Sequence, residues 1–261
     1  MNIWEIIILG IVEGVTEFLP ISSTGHLILV ERWLKLATHP TEMFNVVIQS
    51  GAVIAVAVVF WNRLKDMVTH WKSPEVQQFA LKIAVSFFIT GVGGLVLKKL
   101  GLKLPETAAP VAWATLIGGV VILAMERWLK GKPGSNDITW TVAIAVAGAQ
   151  LLAAAFPGTS RSGASIIIAL LCGIARPAAT EFSFLVGVPT LIAAGGYTML
   201  KSFNEPHEPW WQIGLGTFVS AVTAFIVVRW LLQFVRSHTF VIFGWYRIVL
   251  GGLILGFIVF G

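Results

Sequence analysis

Pro20-Ile-Ser-Ser-Thr-Gly-His26 and Pro157-Gly-Thr-Ser-Arg-Ser-Gly163 decide how this chain is read. Both are short polar stretches in an apolar sequence, and Pro157 follows Pro20 at an offset of 137 residues. Each is flanked by two apolar runs too short to cross a bilayer: 3–18 and 27–36 around the first, 142–156 and 164–174 around the second. A span needs about 20 apolar residues for a hydrocarbon core of ~30 Å. Each pair of short runs is therefore read as a re-entrant helix–loop–helix hairpin that dips into the membrane and returns. Loop backbone and ionisable groups at that depth are costly unless they line a cavity or a site.

Outward from these stretches lie six runs long enough to span, at 43–61, 79–97, 111–129, 182–200, 211–231 and 240–260. The expected fold is an all-α polytopic membrane protein: six transmembrane helices plus two re-entrant hairpins, in one integral membrane domain over residues 1–261. Composition agrees. Of the 261 residues 56% are hydrophobic and 12% charged, about half the charge of a soluble domain, and mean hydropathy is +0.84.

The halves repeat. Glu13 aligns with Gln150, Pro20 with Pro157 and Ser23 with Ser160 at an offset of 137, and Thr41-Glu42 aligns with Thr180-Glu181 at an offset of 139. Repeat 1 covers about 1–130 and repeat 2 about 138–261. Each holds one hairpin and three spans. Three is odd, so the second half enters the membrane upside down. Inverted repeats with broken helices bring their discontinuities together near the midplane, so the two polar loops are expected to face each other.

Loop charge gives the orientation. Arg63, Lys65, Lys72, Arg127, Lys130, Lys132, Arg229 and Arg236 lie on one side, against Lys98, Lys99, Lys103 and Lys201 on the other. The richer side is expected to be cytoplasmic, with both termini and the pocket outside. The net charge of +5 is read as orientation signal and contact with membrane lipids. Its scatter over short loops gives no footprint for nucleic acid. Met1–Glu5 has neither a basic n-region nor a cleavage site and is not read as a cleaved leader. Trp61, Trp71, Trp128, Trp140, Trp210 and Trp211 sit near run ends, as an interfacial belt does. Gly10/Gly14 and Gly252/Gly256 have the spacing for close helix contact, within the fold or in a homodimer. The single cysteine, Cys172, excludes an intrachain disulfide and is read as an inert buried hydrophobe.

The chemistry is expected in the two loops. Glu13 and Glu17 are four apart and share a face of the first half-helix. Two carboxylates this close in an apolar setting cannot easily both ionise. They suit acid–base work, or a shared divalent cation held by oxygen; the alternative is a structural pair bonded to backbone. Ser22, Ser23 and Thr24 precede Gly25 and His26 at a helix start, where hydroxyls cap free N–H groups. The same N–H groups and the helix dipole make an anion site. Ser23, between Glu17 and His26, is the better nucleophile candidate. Arg161 is expected to pair with Glu13 or Glu17 across the repeat interface, or to grip an anionic ligand. Thr159, Ser160, Ser162 and Gly163 complete the second loop as further donors. Asn45 and Gln49 share a helix face as pocket lining or interhelical glue. Glu42 and Glu181 are read as helix-start caps, His39, His70, His207 and His238 as solvated loop residues. Arg247 lies within the last run, either paired inward or snorkelling.

Glu13-Gly-Val-Thr-Glu17, Pro20–His26 and Pro157–Gly163, with Thr180-Glu-Phe-Ser-Phe184 and Tyr246-Arg247, resemble the undecaprenyl-diphosphate phosphatase family of bacterial membranes, the bacitracin-resistance type. The resemblance covers nearly the whole chain. It implies a multi-pass protein of the bacterial inner membrane that hydrolyses undecaprenyl diphosphate to the monophosphate and phosphate. That step recycles the lipid carrier for peptidoglycan synthesis and removes the target of bacitracin. It also implies catalytic roles for Glu17, Ser23, His26 and Arg161 with Glu13 in support, no organic cofactor, and stimulation by Ca²⁺ or Mg²⁺. Attack by Ser23 through a phosphoseryl intermediate, attack by water, and attack by His26 all remain open at this point. A transporter or flippase for a polyprenyl phosphate is the rival reading, because inverted repeats with broken helices are transporter architecture.

Overall fold

The computed structural model describes residues 1–34, 40–102, 107–205 and 207–260. His39, Lys103 and the side chain of Glu42 lie outside the described residues. The first half runs α1 (Ile3–Thr16), α2 (Ser23–Leu34), α3 (Glu42–Val59), α4 (Trp61–Thr69), α5 (Pro74–Lys99) and α6 (Ala108–Leu129). The second runs α7 (Trp140–Ala155), α8 (Arg161–Leu171), α9 (Arg176–Lys201), α10 (Trp210–Phe234) and α11 (Val241–Phe260). α5, α6, α9, α10 and α11 are each long and apolar enough to cross a bilayer, and α3 with α4 makes a sixth span, bent by 64°. The chain is thus an all-α polytopic membrane protein, with the two short-helix pairs where the polar stretches predict them.

Local chemistry accounts for the helix ends. Asn2 caps α1 in a reciprocal capping box, its Oδ1 accepting from Glu5 N at 2.9 Å while Glu5 Oε2 accepts from Asn2 N at 2.7 Å. α7 stops at Ala155 because Phe156, just before Pro157, is pushed out of the helical region, and α1 stops at Thr16, whose carbonyl would need the N–H that Pro20 lacks. Pro177 sits in the first turn of α9, where its missing N–H costs nothing. α9 therefore starts at Arg176, and Glu181 lies beyond its first turn. Glu181 is no cap; it pairs with Arg63 at 3.1 Å, and Arg63 also lies 4.5 Å from the centre of the Phe79 ring.

The halves interlock. α1 packs on α10 while α7 packs on α5, and α3 meets α9 as α6 meets α11. Gly10 and Gly14 face α10 directly: a Cβ on Gly14 would lie 2.9 Å from Thr223 Cβ. Gly252 and Gly256 have nothing within 4 Å and face outward. The apolar tips of the first break, Phe18, Leu19 and Ile21, are buried in one core with Ile166, Phe182, Phe184 and Leu185. Phe18 meets Phe184 edge-on at 4.9 Å.

One end of the molecule gathers the turns before α4, α7, α9 and α11, with Arg63, Lys132, Arg176 and Arg236 lining two adjoining clefts. A buried Glu126 pairs there with Arg176 side-on, Oε1 accepting from Nε at 3.1 Å and Oε2 from Nη2, and Oε1 also accepts from Phe240 N at 2.8 Å. At the opposite end Gln212 donates to Met1 O at 3.1 Å, and Glu208 accepts from Thr41 N at 2.9 Å. Cys172 is exposed at the end of α8, contrary to the buried position expected, because α8 stops there and the chain turns out to start α9. His70 and His238 are exposed as expected, whereas His207 is half-buried with its ring 4.8 Å from that of Trp210.

Candidate active site

The two breaks share one construction. In each, a serine takes a left-handed backbone and its Oγ accepts from the N–H three residues on, opening the second half-helix. Ser22 (φ 73°) accepts from Gly25 N at 3.4 Å, and Ser160 (φ 68°) from Gly163 N at 3.1 Å. Such backbone persists in a non-glycine residue only when its surroundings over-determine it. Ser22 therefore matches Ser160, and Ser23 matches Arg161, one residue out of step with the sequence alignment. The second loop is longer by one residue between its proline and this serine. It carries Gly158 at φ 94°, where a Cβ would come within 2.8 Å of Val111 Cα. Only glycine fits that conformation at that approach.

The breaks face each other across the interface of the halves. Glu17, buried just past the end of α1, accepts from Ser23 Oγ on Oε2 at 2.8 Å and from Arg161 Nη2 on Oε1 at 2.7 Å. Ser162 Oγ donates to Leu19 O at 2.9 Å, and Ser160 Oγ reaches the same carbonyl at 3.4 Å. Ser160 and Ser162 thus tie the second loop to the first, while the Thr159 hydroxyl donates back to Phe156 O at 2.7 Å. These three hydroxyls were expected as ligand donors; here their protons serve the loops themselves. Ser23, Thr24, His26, Thr159, Ser160 and Arg161 are partly exposed, whereas Ser22, Gly25, Ser162 and Gly163 are buried. Serine, carboxylate and guanidinium form an open-sided cluster: a nucleophile on a base, beside a cation with N–H groups to spare.

His26 is placed differently from the base role considered for it. Its Nδ1 lies 2.7 Å from Ser22 O and its Nε2 2.7 Å from Tyr246 Oη. A carbonyl can only accept, so Nδ1 carries the proton; in the neutral ring Nε2 then accepts from the tyrosine hydroxyl. Glu17, not His26, holds the Ser23 hydroxyl. His26 instead links the left-handed Ser22 to α11.

Glu13 is fully buried beside Glu17 and Arg161, and no N–H or hydroxyl among the described residues donates to either of its carboxyl oxygens; its one polar neighbour among them at hydrogen-bond range is the Glu17 carboxyl. Its repeat mate Gln150 is likewise buried with an unpartnered Oε1. Among the described residues no three His, Cys, Asp or Glu side chains cluster as metal ligands. Glu13 and Glu17 are the carboxylates at the breaks that could hold a cation. Two carboxylates suit a divalent ion that takes its remaining oxygens from water and phosphate, and the Glu13 oxygens, buried with no N–H or hydroxyl among the described residues donating to them, fit that use.

Three groups were underread or unread in the sequence. Arg247 is fully buried and inward, so snorkelling is excluded. Tyr246, half-exposed, carries the hydroxyl on His26. The Glu126–Arg176 pair was not anticipated at all. A lone arginine in a 20-residue apolar helix was the available signal for Arg247; Tyr246 stood out only as its neighbour in the resembling stretch, and Glu126 only as a carboxylate near the end of an apolar run.

Residues 6–253 match the family described as Bacitracin resistance protein BacA. A Rhizobium etli protein named Undecaprenyl-diphosphatase is 53% identical over 253 residues, covering 95% of this chain and 94% of its own length. A protein of the same name from Xanthomonas oryzae pv. oryzae is 45% identical over 253 residues, with the same coverage of both chains.

Proposed function

The chain belongs to the bacitracin resistance protein BacA family, and from that premise we propose that it is a membrane phosphatase hydrolysing undecaprenyl diphosphate to undecaprenyl phosphate and inorganic phosphate. The observation that carries the reading is the shared carboxylate: Glu17 holds the Ser23 hydroxyl at 2.8 Å and Arg161 at 2.7 Å. The diphosphate sits at the mouth of the two breaks, with its lipid tail leaving sideways between spans. Arg161 turns its unused N–H groups to the terminal phosphoryl oxygens, where charge must be stabilised in transfer. Glu17 takes the Ser23 proton as Oγ bonds to the terminal phosphorus. The bridging P–O bond breaks, and undecaprenyl phosphate leaves. Water then attacks the phosphoserine phosphorus, Oγ recovers its proton and inorganic phosphate departs. In direct attack by water, Ser23 would only donate a hydrogen bond.

Glu13 and Glu17 would hold a Ca²⁺ or Mg²⁺ ion together with diphosphate oxygens; the ion would supply charge neutralisation. The same reading takes 1–130 and 138–261 as inverted halves in the bacterial inner membrane, the basic end cytoplasmic and the pocket open to the outer side. It takes the outward Gly252/Gly256 face of α11 as the seam of a homodimer. The exchanged packing of the halves, α1 on α10 and α7 on α5, favours transport of a polyprenyl phosphate as the second reading. Phosphate release separates them. Purified wild type in detergent should release phosphate from a polyprenyl diphosphate, less with a chelator. Arg161→Ala should lose about 10³-fold, on the scale of removing an arginine clamp. A wild type that binds this lipid but releases nothing would leave transport as the function.

A further inference from the structure

Arg247 sits fully buried in α11 and spends every N–H on main-chain carbonyls. Its Nε donates to Thr115 O at 3.1 Å. Nη1 donates to Thr159 O at 2.9 Å and to Pro20 O at 3.3 Å. Nη2 donates to Ala114 O and Gly158 O, both at 3.1 Å. A guanidinium has five N–H donors in a rigid planar fork, so none is left over. Three acceptors belong to the two breaks and two to α6; no carboxylate is among them. Gly118 of α6 makes the room, since a Cβ there would come within 2.7 Å of Arg247 Cζ.

The consequence is mechanical. Both breaks carry a serine in a left-handed backbone, which must be held from outside. Pro20 lies two residues before one such serine; Gly158 and Thr159 lead directly into the other. With Arg247 in place, all three carbonyls point at one guanidinium and share a frame with α6. Without it, three carbonyls in a dry interior lose a charge-assisted partner at once.

We propose that Arg247 is a positioning residue that locks the two breaks together through α6, keeping Ser23 and Glu17 of one in register with Arg161 of the other without touching the lipid. Its value to turnover rests on the phosphatase reading; its hold on the breaks does not. Lysine cannot replace it, because three donors on one nitrogen cannot reach five carbonyls spread along a plane.

The test uses the full-length protein in detergent as wild type, Arg247→Lys and Gly118→Ala. The second variant keeps the arginine but takes away its seat. Folding is followed by size exclusion and thermal melting. The breaks are followed by hydrogen–deuterium exchange of peptides covering 17–26 and 156–163, and chemistry by phosphate release. In folded protein both segments should exchange faster together, with α5 and α10 unchanged. kcat should fall about 100-fold, as for a misplacement of about 1 Å at a reacting centre, with KM held within about threefold because Arg247 makes no ground-state contact. Unchanged exchange in a folded variant overturns the proposal, as does loosened exchange with wild-type kcat. If Arg247→Lys does not fold, Gly118→Ala decides alone. If wild type releases no phosphate, the phosphatase reading falls, and the exchange data still decide whether Arg247 holds the breaks.

Discussion

Glu17 is the side chain that both breaks share, and it makes the sharpest single-residue prediction. Glu17→Gln keeps the size and one acceptor oxygen but takes no proton from Ser23 and no longer balances Arg161. Loss of a positioned base costs about 10²–10⁴-fold in turnover, so phosphate release should fall in that range with the protein still folded. Retention of a tenth or more of wild-type turnover would remove Glu17 as the base. Ser23→Ala should be close to inactive on the covalent route, and wild type should yield a trappable phosphoserine; substantial residual turnover favours direct attack by water. Glu17, Ser23 and Arg161 were legible in sequence because ionisable and hydroxyl groups stand out against apolar neighbours. The partner of His26 was not, because a ring at a helix start can swing either way, and its choice depends on a tyrosine 220 positions later. Arg247 was visible as a charge, but its partners are carbonyls, which every residue carries and no sequence marks.

Two glycine pairs of the same spacing, one on α1 and one on α11, behave differently because of what faces them. Gly14 lies against α10, where an added Cβ would meet Thr223 Cβ at 2.9 Å and Ala224 N at 3.0 Å. Gly14→Ala overpacks this seam and should cost about 1–3 kcal/mol, seen as a lower melting temperature in detergent. Gly252→Ala faces open space and should be neutral or stabilising by up to about 1 kcal/mol in the monomer. Equal effects at the two positions would contradict the packing of α1 on α10. Element positions were readable from the lengths of apolar runs, and the hairpins from proline-led polar gaps. The details that were misread have local causes. Pro177 starts α9 early and strands Glu181 beyond the cap, Gly158 lengthens the second loop by one residue and shifts the register of the repeat, and the 64° bend between α3 and α4 falls at Phe60 with no Pro or Gly to announce it.

At the scale of the whole molecule, the end bearing Arg63, Lys132 and Arg236 also bears Cys172, the chain's single cysteine and an exposed one. With that end cytoplasmic, a membrane-impermeant maleimide should label Cys172 in inverted vesicles and not in intact spheroplasts. Labelling from the outside would reverse the orientation and turn the pocket inward. The convergence of the two breaks was an expectation drawn from repeat and parity alone, and the bonds from Arg161 to Glu17 and from Ser162 to Leu19 supply its geometry. It is tested most directly by a double-mutant cycle on phosphate release with Ser23→Ala and Arg161→Ala, one from each half. Residues that act as one unit are grossly non-additive. The double variant is therefore predicted to be no slower than the worse of the two single variants. Losses that simply multiply would mean that the two breaks work apart, and would contradict a single site built from both halves.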